Sequence, residues 1–210
     1  MPFYPKEFKE AISQLPSKEK DKLIFRLLKK DLALANRLLF ELLSTNTVDE
    51  ERQKIENRIK LRVQQITHTF YSVGDLNIDV RYLSGEISEH VQKTKDKFGE
   101  VSLNILLLKE VLQSNNDNIL SATPENARKF CVVVIARVFK ILILINKMHM
   151  DYKLDFNPNL KKMGKLISDN NHLMDAAIKN GLDVNWLLQC EIPDNIETIH
   201  KEIRRLGFLK

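Results

Sequence analysis

Apolar residues recur along this chain at three- and four-residue steps, the period of one helical face. Phe8, Ile12 and Leu15 open the pattern. Leu23, Ile24, Leu27 and Leu28 share a face over 18–30, and Leu32, Ala35, Leu39 and Leu42 are in register over 32–43. Ile55, Ile59, Val63, Ile66, Phe70 and Val73 mark the clearest amphipathic helix, expected over 48–73. Its opposite face carries Arg52, Glu56 and Lys60, spaced for i,i+4 pairing. A second long segment, 75–98, follows with an expected irregularity at Ser84-Gly85. Over 100–113, Leu103, Leu106, Leu107, Val111 and Leu112 are expected to be buried. The last stripe, Ile192, Ile196, Ile199, Ile203 and Leu206, must dock on this chain or another.

Helix boundaries follow from the punctuation. Pro16 ends the first helix, Ser17 is a candidate cap for the next, and Asp31 for a third; 17–43 is either a hairpin or one long helix. Gly74 and Gly99 are expected to interrupt the long helices. Thr123-Pro124-Glu125 supplies an N-cap, a proline at the first helical position and an early acid, so a helix begins at 124 and runs to about 150. Residues 114–123, SNNDNILSAT, are the most polar connection and the candidate lobe boundary, and 151–158 are expected to be a loop. Short helices are expected near 159–168, 171–180, 184–189 and 194–206, with Gly181 and Gly207 closing two of them. The sum is an all-α chain of about ten helices, read as one helical domain over 1–210, either an irregular bundle or a short helical superhelix.

The run from Phe130 to Ile145 is apolar enough to raise a membrane span, but it falls short of the roughly 20 residues a bilayer needs, and Arg137 and Lys140 interrupt it. Lys129, Arg137, Lys140 and Lys147 fall within an arc of about 80°, which describes a core helix with one polar edge. No membrane span is expected. Cys131 lies in that run and packs as a small hydrophobe; Cys131 and Cys190 suggest no disulfide framework, and the cytoplasm is the default compartment.

Of 210 residues, 33 are Lys or Arg and 28 are Asp or Glu, for a net charge of +5. The excess is uneven: 14 basic against 10 acidic residues over 1–66, 5 against 8 over 67–123, and 14 against 10 over 124–210. Two basic ends flanking an acidic middle could attract nucleic acid or an acidic partner.

Four short motifs carry candidate chemistry. Glu197-Thr-Ile-His200 matches one Glu-x-x-His pair of a diiron four-helix protein, and Glu86 with His90 mimics another, but no second true pair exists. Glu86-Ile-Ser-Glu89 resembles the first magnesium element of helical nucleotide pyrophosphohydrolases of the MazG and all-α dUTPase type. That resemblance implies metal-binding roles for Glu86 and Glu89, yet the Glu-x-x-Asp that should follow is missing. Gly181-Leu-Asp-Val-Asn-Trp-Leu-Leu188 resembles the closing segment of Xre/CI-type helix-turn-helix domains. In such a domain Lys161, Lys162 and Lys165 would touch phosphates. The 17–43 segment resembles one hairpin of a HEAT- or armadillo-type solenoid. His149, between two methionines, is expected to be a buried, hydrogen-bonded histidine at a helix end. No Walker loop, nucleophile elbow or dinucleotide fingerprint is present, and no cofactor is implied.

The leading expectation is therefore a non-catalytic interaction or scaffold protein, binding a protein partner or itself, with the two long amphipathic helices 48–73 and 75–98 offering a groove or pairing in a dimer, and any apolar stripe left exposed after folding marking the contact. The alternatives are a nucleic-acid binder using its basic ends and a magnesium-dependent nucleotide pyrophosphohydrolase.

Overall fold

The computed structural model describes residues 4–210, and among these it contains twelve α-helices and no strand. The all-α expectation holds. The chain divides into two compact units, one of Met1–Thr45 with Gln92–Thr94, the other of Asn46–Val91 with Lys95–Lys210.

The first unit contains α1 (Lys6–Gln14), α2 (Ser17–Leu28) and α3 (Leu32–Leu43). Residues 17–43 are thus a hairpin. Asp31 divides it, its Oδ1 accepting from the Leu34 N–H at 2.9 Å. Ser17 does not cap α2: Pro16 stands at that position, and no side chain bonds the free N–H groups. None of the three helices has a single buried residue.

The second unit is an irregular helical bundle. Its α4 (Val48–His68) opens with a full capping box, Thr47 Oγ1 accepting from the Glu50 N–H while Glu50 accepts from the Thr47 N–H. Then come α5 (Val73–Thr94), α6 (Lys97–Leu120) and α7 (Pro124–Asn146). Gly74 lies inside the first turn of α5, because Ser72 caps that helix, and α5 runs unbroken through Ser84-Gly85. Thr123 caps α7 with Pro124 at its first position, as the sequence indicates. The core lies along α6 and α7, where Leu103, Leu107, Val111, Phe130, Val134, Phe139 and Leu142 are sealed from solvent. Of the expected buried set on α6 only Leu106 remains half-exposed. The inward stripes of α4 (Ile59, Val63, Ile66) and α5 (Leu76, Val80, Leu83, Ile87) join the same core.

Two expected loops are helical. Residues 114–120 are the last turns of α6, disturbed only at Asn115, whose backbone leaves the helical region. The polarity that suggested a connection is satisfied within the fold: Asn115 Nδ2 donates to Thr67 Oγ1 on α4 and to the Val111 carbonyl one turn back, and Asn116 Oδ1 accepts from Asn170 Nδ2. Residues 151–158 hold α8 (Met150–Asp155) and the start of α9 (Asn157–Ser168). His149 caps α8 from the surface, its side chain mostly exposed, so it is not the buried histidine expected.

The chain ends with α10 (Asn171–Lys179), α11 (Asn185–Leu188) and α12 (Ile196–Arg205). Gly181 and Gly207 take positive φ and close α10 and α12 with the paired bonds of the Schellman motif: Leu182 N to Ala177 O with Gly181 N to Ile178 O, then Phe208 N to Ile203 O with Gly207 N to Arg204 O. The stripe of α12 docks within this chain, on α7, with Ile196 fully buried.

Candidate functional site

A buried polar cluster of the second unit surrounds Asp96, the N-cap of α6. Asp96 Oδ1 accepts from the Gly99 N–H at 2.8 Å and from Arg52 Nη2 at 2.9 Å; Oδ2 accepts from Arg52 Nε at 2.6 Å and contacts His90 Nε2 at 3.1 Å. The Asp96 and His90 side chains are all but sealed, and Arg52 lies over the Phe98 ring. Burial would raise the Asp96 carboxyl, but the bonds from His90, Arg52 and Gly99 outweigh it and hold the group far below the usual carboxylate range. This is a structural lock that ties α4 and α5 to the start of α6. Arg52 does not pair with Glu56 as its spacing suggests, because the buried carboxylate offers a bidentate site.

The sequence candidates distribute as follows. His90 is committed to Asp96. The Glu86 carboxylate lies 2.7 Å from Arg58 Nε, a charge contact between α5 and α4 without a well-aligned hydrogen bond. Glu89 is exposed on α5. Among the described residues no group of three or more His, Cys, Asp or Glu side chains is placed to hold a metal ion. Glu197 pairs with Lys147 at 2.9 Å and with Lys201 at 3.0 Å, and His200 stacks beside Phe139 at 5.4 Å. Lys147 lowers the Glu197 carboxyl first, then Lys201.

Lys161, Lys162 and Lys165 are all exposed on α9. The other face of α9 packs on α11, where Gly164 leaves just enough room for Leu187 and Leu188: a Cβ there would stand 3.0 Å from each. Trp186 meets Phe139 edge-on at 6.3 Å. The Trp-Leu-Leu segment therefore anchors α11 on the core. Among the described residues no helix is long and apolar enough to cross a membrane.

Two features of the second unit were not visible in the pattern. Arg137 sits half-buried in α7 with its guanidinium against Ser84 Oγ, and its Nε has no hydrogen-bond partner. Burial lowers its pKa, and nearby Arg81 adds to the shift. A groove of about 800 Å³ opens between the start of α7, α10 and the last residues, lined by Arg128, Val132, His172, Lys179 and Phe208 among others.

The first unit shows the opposite of a core. Phe8, Ile24, Phe25 and Leu27 are half or more exposed, or nearly so, and on α3 Leu32, Leu39, Leu42 and Leu43 are 72%, 56%, 75% and 74% exposed. Scattered apolar residues are normal on a protein surface, whereas contiguous patches mark contact sites. At 100° per residue these four leucines share an arc of about 100°, and Arg37 and Glu41 point the other way, paired with each other at 2.6 Å. No protein-family model matches the chain, and neither a curated protein nor a solved structure does.

Proposed function

We propose that this protein is a non-catalytic interaction protein whose contact surface is the helical hairpin of α2 and α3. The observation that carries the reading is the leucine face of α3, which stays exposed although the remaining long amphipathic helices, α4 and α5, turn their stripes into the core. Such a face has a cost in water, and covering it by a partner recovers that cost.

The test uses photo-crosslinking residues placed singly at Leu32, Leu42 and Lys162 in cells that make the protein. The reading expects macromolecular adducts from the two α3 positions and none from α9. Adducts to nucleic acid at Lys162, with none at α3, would refute it in favour of nucleic-acid binding. That second reading is supported by the exposure of Lys161, Lys162 and Lys165 together on one helix. The magnesium-hydrolase reading has less support, since Glu86 is engaged by Arg58 and His90 by Asp96.

A further inference from the structure

We infer that the occupant of the α3 face is a second copy of this chain, paired antiparallel through α3 about a twofold axis. This inference rests on the contact-surface reading above and names its partner.

The argument begins with spacing. Leu32, Ala35, Leu39 and Leu42 step by three, four and three, the seam of a helix pair. The seam is also palindromic. When two copies of α3 run antiparallel and centre on residue 37, Leu32 faces Leu42 of the second copy, and Ala35 faces Leu39. Each small residue at the centre then receives a large one, and the outer positions pair leucine with leucine. This is the self-complementarity that a twofold interface requires. A parallel pair would set Ala35 against Ala35 and leave a gap at the middle.

Charge points the same way. The exposed arc carries Leu32, Ala35, Asn36, Leu39, Leu42 and Leu43 and no ionisable group. Arg37 and Glu41 neutralise each other on the far side. A basic or acidic partner would gain nothing from such a face, and an identical copy meets no like-charge repulsion. The four leucines of α3 alone expose on the order of 500 Å², a large part of the roughly 800 Å² that one partner of a standard interface covers. With α3 about 18 Å long, both seams lie wholly inside the contact.

The experiment is sedimentation velocity on the full chain across the micromolar range, with two kinds of variant. The wild type is expected to be a dimer. Leu39→Lys should weaken pairing by about a hundredfold or more, since it sets a charge opposite Ala35 at the seam centre. Its circular dichroism should be unchanged, because Leu39 is more than half exposed within one chain. Orientation is read from cysteine variants in a Cys190→Ser background. Mixing Ala35→Cys with Leu39→Cys should give the mixed disulfide in excess over either homodimer. Preferential Ala35–Ala35 type homodimers would overturn the antiparallel seam. A wild-type chain that stays monomeric throughout overturns self-pairing. If photo-adducts at Leu32 and Leu42 then have some other mass, the contact-surface reading stands and only this inference fails; if there are none, both fail.

Discussion

Replacing Gly99 by alanine should destabilise the second unit, against the usual direction of such a change. Alanine in a helix is favoured over glycine by about 1 kcal/mol. Position 99 is the third residue of α6, where a Cβ is ordinarily free of its neighbours. Here a Cβ would run into the Asp96 carboxylate and come within 2.9 Å of Arg52 Nε. The carboxylate cannot swing aside freely, because it caps α6 and holds Arg52 and His90 at the same time. Breaking a buried ion pair costs about 3–5 kcal/mol. Arg52 keeps about a fifth of its side chain in water, so the lower end, about 3 kcal/mol, applies. Subtracting the helical gain leaves a net loss of about 2 kcal/mol, or roughly 4–8 °C in Tm for a unit of this size. Urea unfolding followed by circular dichroism measures it, and a cycle with Asp96→Ala isolates the cause. In that background the obstructing carboxylate is gone, and Gly99→Ala should become neutral or stabilising. A Gly99→Ala protein more stable than wild type would refute the account.

Three further predictions follow from single contacts. Because the Asp96 carboxyl lies lower in the folded than in the unfolded chain, its stabilisation is complete above about pH 4 and is lost as pH falls toward the folded value. Stepped-pH unfolding should therefore show Asp96→Asn weaker than wild type at neutral pH, with the gap narrowing in acid; a gap that widens would contradict this sign. Gly181→Ala should lose about 2 kcal/mol and Gly207→Ala about 1 kcal/mol, since both demand a left-handed backbone. Only Gly181 also presses a Cβ to 3.1 Å from Ile203; equal losses in denaturant titrations would show that Ile203 gives way freely. Arg137→Met should leave stability unchanged or raise it by about 1 kcal/mol, because the half-buried guanidinium lies against the Ser84 hydroxyl and near Arg81, its Nε has no hydrogen-bond partner, and methionine keeps its bulk. A Tm that drops by several degrees would mean that Arg137 is held by more than Ser84.

Much of the fold was legible because it depends on local chemistry. The period of Ile55, Ile59, Val63 and Ile66 defines a helix whatever it packs against. Thr123-Pro124 starts α7, and Gly181 and Gly207 end α10 and α12, because caps and left-handed turns are settled within a few residues. The burial of Cys131 and of most α6 leucines followed from the density of apolar neighbours in sequence.

What needed the tertiary structure was every decision between partners far apart in the chain. Asn115 and Asn116 read as loop because a run of polar residues marks a connection, whereas Thr67 and Asn170, 48 and 54 residues away, engage their amides within the fold. Arg52 fitted Glu56 by spacing, but a buried carboxylate 44 residues on outcompetes an exposed one on the next turn. Gly99 looked like a break and is instead the one residue that fits beneath Asp96. Above all, periodicity gave α3, α4 and α5 equivalent apolar faces. It assigns a direction around each helix axis and no neighbour, so only packing could show that α4 and α5 spend their faces on the core while the leucines of α3 stay exposed.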